Sequence, residues 1–326
     1  MSLNDKTILV TGGTGSFGQK FTEVVLKEQT VKAIRILSRD ELKQLHMSQR
    51  FNNDRIRFLI GDVRDKGRLY RAMTGVDVVI HAAALKQVPA AEYNPLEAVK
   101  TNIDGVANVI DAAIDAGVPK VMLIGTDKAV HPVNLYGATK LVAEKLFVQA
   151  NAYTSGKTLF SCVRYGNVVG SRGSVVPLFV QQRDSGTVTI TDTRMTRFWI
   201  TLEQVVHFVV DCIERMAGGE VFVPKIRSMR LVDVVKTIAP DAVLKIIGIR
   251  AGEKLHEELI TAEEAPRTLE FDDHYIVEPE HSFWSSSAHV GGRRVPTDFQ
   301  YRSDTNELWL SRQELEACLI DVQLEA

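Results

Sequence analysis

Between Thr7 and Tyr165 the sequence alternates short, solidly apolar runs with longer stretches of helical periodicity. The runs Thr7–Val10, Ala33–Ser38, Ile56–Ile60, Val76–Ala82, Lys120–Ile124 and Leu159–Tyr165 read as strands. Phe17–Glu28, Asp40–Phe51, Leu69–Met73, about Pro95–Ala116 and Gly137 to about Ala152 read as the helices between them. Strands apolar on both faces need cover on both faces, and an intervening helix returns the chain to start the next strand in the same direction. The pattern predicts an α/β fold with a doubly wound parallel sheet.

After Tyr165 the alternation breaks up. Gly166–Gly173 is glycine-rich, Val175–Arg183 reads as a helix and Thr187–Ile190 as a short strand. Leu202–Met216 is helical, with Val205, Val206, Phe208, Val209 and Ile213 on a face suited to packing back on the sheet. From Val221 short segments alternate with loops, and the Ser/Gly/Arg-rich stretch His281–Arg294 reads as mobile. The expected division is a first domain over 1–165, to which 198–220 returns. A smaller, partly interleaved lobe takes 166–197 and 221–326.

Composition narrows the function classes. The 326 residues carry a formal net charge of −2, so no basic excess favours nucleic acid or an anionic membrane as partner. Cys162, Cys212 and Cys318 are far apart, with no metal-ligand spacing, and read as free thiols; no metal is expected. The opening MSLNDKTILVTGG has no secretory pattern and no apolar run is long enough to span a membrane, which predicts a cytoplasmic protein.

The segment TGGTGSFG (Thr11–Gly18) follows the first strand and opens the first helix. Gly12, Gly15 and Gly18 form a G-x-x-G-x-x-G frame, and Gly13, Gly15 and Gly18 also satisfy G-x-G-x-x-G. Glycines let the backbone approach a pyrophosphate, and the helix N-terminus supplies positive potential. Gly12, Thr14, Gly15, Ser16, Phe17 and Gly18 are therefore the expected dinucleotide contacts. At the end of the second strand an NAD site places a carboxylate for the ribose hydroxyls. Here Ser38 and Arg39 come first and Lys43 follows one helical step later, which suits a 2′-phosphate and favours NADP. Asp40 keeps NAD open, since a rotated loop would offer it to the ribose. Asp62, with Val63, is expected near the adenine, and the small Ala82 and Ala83 let backbone approach the cofactor.

Tyr136 and Lys140 stand four apart on one helix face, so the phenol and the ammonium are neighbours. A lysine close to a phenol favours the phenolate and makes a base for a hydroxyl that loses hydride to nicotinamide. Thr126, Asp127 and Lys128 follow the apolar strand VMLIG, at the strand ends where open α/β sheets bind ligands. An acid and a second amine beside an oxidising tyrosine point to chemistry beyond dehydrogenation.

Together these residues resemble the extended short-chain dehydrogenase/reductases, which implies a Rossmann domain. The strings SRDELKQ, GDVRD, HAAALKQVPAAEYNP, TDKAVHPVNLYGATK, VRYGNVVGSRGSVVP, TRFWIT and GIRAGEKLHEELI are similar to the soluble inverting UDP-N-acetylglucosamine 4,6-dehydratases that begin pseudaminic acid synthesis. That resemblance covers nearly the whole chain. It implies tightly held NADP, a UDP-sugar substrate and a homo-oligomer, dimeric or larger. Tyr136, helped by Lys140, would deprotonate the C4 hydroxyl while Thr126 binds its oxygen. Lys128 would remove the C5 proton, Asp127 would assist loss of the C6 hydroxyl as water, and reprotonation of C5 from the opposite face would again use Lys128. The product is UDP-2-acetamido-2,6-dideoxy-β-L-arabino-hex-4-ulose. As a base Lys128 must be neutral; burial and Lys140 favour this, and Asp127 opposes it. Relatives read Ser-Thr-Asp-Lys where Gly125 stands here, which is expected to loosen the loop slightly.

The same resemblance implies further contacts. Lys86 reaches substrate or cofactor phosphates, and Asn102 braces the catalytic loop or caps buried backbone. Asn167, Ser171, Arg172 and Val175 meet the sugar nucleotide, and Arg194, Arg250, Glu253 and Lys254 its UDP end. The rival readings are a UDP-sugar 4-epimerase, which needs no Asp127–Lys128, and a capsule-type 5-inverting dehydratase, which often lacks the tyrosine. Retaining dehydratases carry N-terminal membrane segments, and a non-catalytic NADP-binding regulator would lose Tyr136 or Lys140.

Overall fold

The computed structural model describes residues 3–171, 174–280 and 289–320. The first half follows the expected alternation: β1 (Thr7–Thr11), α1 (Ser16–Glu28), β2 (Ala33–Ser38), α2 (Glu41–Phe51), β3 (Ile56–Ile60), α3 (Lys66–Met73) and β4 (Val78–His81). Every residue of β1 and of β4 is buried, as strands covered on both faces must be. The β3 edge is half open, and Ile60 there is exposed.

The long helix expected over Pro95–Ala116 is broken. A short helix α4 (Val88–Tyr93) precedes α5 (Pro95–Val99), a π-turn spans Lys100–Asp104, and α6 (Gly105–Asp115) follows. In the π-turn Gly105 N–H donates to Lys100 O, one residue further back than in an α-helix. The wider turn carries Asn102, whose Oδ1 accepts from Leu85 N (2.8 Å) and whose Nδ2 donates to Leu85 O (2.9 Å) and Thr139 Oγ1 (3.0 Å). Three buried hydrogen bonds that a regular helix would misdirect account for the break.

Next come β5 (Lys120–Ile124), a 3-10 turn over Asp127–Ala129, α7 (Leu135–Ala150), β6 (Leu159–Val163), β7 (Asn167–Val168), α8 (Val175–Arg183), β8 (Thr187–Ile190), β9 (Thr196–Ile200) and α9 (Leu202–Arg215). α9 starts with a Thr201/Gln204 capping box and packs on α1, as its apolar face predicts. The last third holds β10 (Val221–Pro224), β11 (Arg227–Arg230), α10 (Leu231–Ile238), β12 (Val243–Ile246), β13 (Glu258–Ile260), β14 (Thr268–Glu270), β15 (His274–Val277), β16 (Arg293–Arg294), β17 (Tyr301–Arg302) and α11 (Arg312–Ile320).

The central sheet runs β16-β14-β15-β10-β6-β5-β4-β1-β2-β3. From β3 to β10 the strands are parallel; β15, β14 and β16 extend the sheet antiparallel. So β10, β14, β15 and β16, which fall in the stretch 221–326 expected for the second lobe, complete the first sheet instead. The apolar β10 pairs with β6, and Val221, Phe222 and Val223 are buried there. The second lobe keeps its own core of Val176, Phe179, Val188, Trp199, Val234 and Leu315. Residues 281–288 of the stretch expected to be mobile lie outside the described residues, while Arg293–Arg294 is β16. Among the described residues no helix is long and apolar enough to cross a membrane.

Candidate active site

The chain order reverses between β1 and β4, and a cleft of about 750 Å³ opens at the C-terminal ends of these strands. Gly12 has φ +66°, and a Cβ there would meet the Ala83 backbone at 2.8 Å. The position needs glycine for both reasons. α1 begins at Gly15 with no side-chain cap and no acidic residue in its first turn, so its free N–H groups and positive end face the cleft. Gly12, Thr14, Gly15, Ser16, Phe17 and Gly18 all line it, with Ala82 and Ala83 opposite.

At the β2 end Ser38, Arg39, Asp40, Lys43, Asp62 and Val63 line the same cleft. Asp40 caps α2, accepting from Lys43 N (3.0 Å), and its carboxylate also pairs with Lys43 Nζ (3.1 Å). The Lys43 N–H holds the Asp40 carboxyl below its ordinary range. Arg39 stands 3.7 Å from Asp62, which Arg64 grips at 2.7 Å; burial works against ionisation of Asp62, and Arg64 overrides it.

Gly125 is pinned rather than loosened. Its N–H bonds Val163 O (2.8 Å), and a Cβ would collide with that carbonyl, so serine would not fit this backbone. Thr126 Oγ1 then caps the turn from Lys128 N (3.4 Å) and donates to Asp127 Oδ1 (3.0 Å). Asp127 is fully buried beneath the cleft; its N–H donates to Tyr165 O (3.0 Å), and Oδ1 also accepts from Lys128 Nζ (3.0 Å). Its Oδ2 has no hydrogen-bond partner among the described residues.

Asn134 caps α7 through Gly137 N (2.8 Å), which turns Tyr136 and Lys140 inward, both buried and both lining the cleft. Lys140 Nζ donates to Ile124 O (2.7 Å), and burial depresses this ammonium to about 8. The phenol of Tyr136 is shifted upward by burial. The cation that opposes the shift is Lys128, aided by the Thr126 hydroxyl. Burial pulls Lys128 down, but Asp127 and Glu257 outweigh it and raise this amine above its ordinary range.

Lys86, Asn167 and Ser171 line the cleft, and Lys86 is lowered by burial and by Lys128. Val175, Arg194, Arg250 and Glu253 are not among the lining residues. Arg194 is exposed and closed on Asp192 (2.8 Å), and Arg250 N–H turns to Glu253 (3.3 Å). Lys254 reaches the end of the Asp127–Ala129 turn, donating to Val130 O (2.5 Å). Arg172 lies outside the described residues. The sequence reading gave no role to Tyr165, Ser174, Arg197 or Glu257. Tyr165 and Ser174 line the cleft, and Arg197 and Glu257 are buried behind it. An arginine inside the apolar strand TRFWIT was the available signal for Arg197.

Comparison with known proteins identifies the family. The family described as "Polysaccharide biosynthesis protein" matches residues 8–279. A UDP-N-acetylglucosamine 4,6-dehydratase (inverting) of Campylobacter jejuni is 53% identical over 322 residues, covering 96% of each chain. A UDP-glucose 4-epimerase of Rickettsia conorii is 43% identical over 282 residues, covering 84% of this chain and 83% of its own. The X-ray structure of Pen from Bacillus thuringiensis superposes with a TM-score of 0.90 at 38% identity, covering 99% of this chain and 100% of that one. The chain therefore belongs to the polysaccharide biosynthesis protein family, built on the extended short-chain dehydrogenase/reductase fold.

Proposed function

We propose that this protein is a UDP-N-acetylglucosamine 4,6-dehydratase that inverts C5, working with NADP. The observation that carries the reading is the Asp127–Lys128 pair, 3.0 Å apart, with Lys128 lining the same cleft as Tyr136 and Asp127 buried directly beneath it. An epimerase needs only the oxidising half of that set. The dehydratase of Campylobacter jejuni supports the substrate class. The Gly12–Ala83 approach and the uncapped α1 fit a dinucleotide pyrophosphate. Asp40 is engaged by α2 and Lys43, which supports a 2′-phosphate beside Ser38, Arg39 and Lys43.

When bound, the nicotinamide supplies the hydride acceptor for C4 and the donor for C6. Tyr136 takes the C4 hydroxyl proton as a phenolate, the form that Lys128 and the Thr126 hydroxyl favour against burial, and becomes a phenol; the resulting ketone acidifies C5–H. Lys128 begins as an ammonium, so its proton must first move. Over the 3.0 Å contact it passes to Asp127, giving a neutral amine and a neutral acid. Excluding water from a buried ion pair favours that neutral state. The amine then takes the C5 proton, and Asp127 protonates the C6 oxygen, which leaves as water. Lys128 is again an ammonium and Asp127 a carboxylate, so protons balance. The Lys128 ammonium then delivers a proton to the opposite face of C5, which completes inversion, and regains one from solvent. Exposed Tyr93, Leu96 and Val142 on α4, α5 and α7 support a homo-oligomer, and we place the protein in the cytoplasm.

Incubation with UDP-N-acetylglucosamine in deuterated water tests the assignment. The expected product is a 4-keto-6-deoxy sugar with deuterium at C5. A galacto-configured epimer alone, or unchanged substrate, overturns it.

A further inference from the structure

Lys128 has a second carboxylate neighbour, supplied by the second lobe. Glu257 lies just before β13, 3% exposed. Its backbone is tied on both sides to Ser303: Glu257 N donates to Ser303 Oγ (2.9 Å), and Ser303 N donates to Glu257 O (2.9 Å). Three cations surround its carboxylate, none within hydrogen-bond reach. Arg197 Nε stands 3.6 Å from Oε1, Lys128 Nζ 3.7 Å from Oε1, and Lys254 Nζ 3.7 Å from Oε2. Oε2 has no hydrogen-bond partner among the described residues.

Two of these cations are anchored elsewhere. Arg197 donates to Thr196 O (2.7 Å), Leu255 O (3.1 Å) and Lys254 O (3.0 Å), and Lys254 to Val130 O (2.5 Å). Lys128 instead lines the cleft, and its hydrogen bond goes to Asp127. A buried carboxylate held by charge rather than by hydrogen bonds exerts its field on whatever titrates beside it. The remaining neighbours do not compensate. Lys86 and Tyr136 face Lys128 from the cleft, whereas His256 turns away to Thr196 Oγ1 (2.9 Å) and stands 3.8 Å from Asp304.

We propose that Glu257 is the positioning residue that sets where the Asp127–Lys128 proton resides. Its fixed charge keeps Lys128 protonated before substrate arrives and disfavours a second carboxylate at Asp127, so the proton has Asp127 as its acceptor when the site closes. This rests on the dehydratase reading of the cleft. The directions of the shifts agree: burial raises Asp127, with Glu257 adding to it, and Glu257 joins Asp127 in raising Lys128 against burial.

Glu257→Gln keeps the shape and removes the charge; Glu257→Asp keeps the charge and withdraws it by one methylene. Competitive labelling of the full-length protein with acetic anhydride, resolved by peptide mass spectrometry, reads the free-amine fraction of Lys128. At about pH 9 that fraction rises about tenfold per unit of lowered pKa. The expected result is at least about a tenfold rise in Lys128 reactivity for Glu257→Gln and a smaller rise for Glu257→Asp. The acid limb of C5 deuterium uptake should move to lower pH in step. Unchanged Lys128 reactivity in a folded Glu257→Gln protein overturns the proposal, as does an unchanged Glu257→Asp protein if the glutamine variant does not fold. Labelling uses no substrate, so it judges Glu257 separately; a wild-type protein that takes up no C5 deuterium overturns the dehydratase reading itself.

Discussion

Two clusters of buried charge lie within this fold, and they are built on opposite principles. Arg164, at the end of β6, is saturated. Its Nε and Nη2 bond Glu144 (2.7 and 2.5 Å), its Nη1 and Nη2 bond Glu264 (2.8 and 2.7 Å), and Nη1 also reaches Leu259 O (3.0 Å). The group ties α7 to the loop after β13. In the cluster around Lys128, the Lys128–Asp127 contact closes at 3.0 Å but the cations around Glu257 stop 3.6–3.7 Å away, and Asp127 Oδ2 and Glu257 Oε2 are both unpartnered among the described residues. A saturated ion group has no proton to move and is suited to holding structure. A frustrated one pays in stability for a proton that can change hands.

The contrast can be broken by mutation. Lys128→Ala should lower product formation by at least about 10³-fold, the scale of a lost general acid–base group, while cofactor reduction by the sugar persists. Loss of cofactor reduction in that variant would remove Lys128 from its assigned step. Arg164→Met should cost about 3–5 kcal/mol in urea denaturation, because it strands two buried carboxylates. A cost near zero would erase the distinction between the clusters. The smallest effect concerns acid. Burial works to raise the Glu264 carboxyl, but Arg164 takes it down to about 2. A carboxyl depressed on folding stabilises above its unfolded value of about 4.3 and loses that contribution as pH falls toward about 2. Glu264→Gln should therefore lose less stability than wild type across that window; parallel acid limbs in urea midpoints against pH would contradict this.

The parts of the molecule governed by local pattern were readable in the sequence. Ala33–Ser38 and Lys120–Ile124 fall at their expected bounds because buried parallel strands are written as continuous apolar runs. The glycine loop was equally legible, since its spacing reports backbone constraints at Gly12 and Gly18. The π-turn was hidden because Asn102 acts through tertiary bonds to Leu85 and Thr139. Strands β10, β14 and β15 were assigned to the wrong lobe because the partners of short strands are set by register, which composition does not encode. Arg194 suited a diphosphate by residue type, and the fold closes its guanidinium on Asp192 instead of on the cleft. The approach of Glu257 to Lys128 was hidden because the two lie far apart along the chain.

The π-turn at Lys100–Asp104 gives the helical segment one residue more than a regular spiral would hold. Its length is therefore part of its message. Removing any one residue from the turn would let α5 and α6 fuse into an uninterrupted helix, a locally comfortable outcome. The fused helix would rotate side chains on one side of the junction by about 100° and carry Asn102 off Leu85 and Thr139. Conservative replacements leave the count intact, whereas a single-codon deletion resets it, and the loop carrying Lys86 would feel the change first.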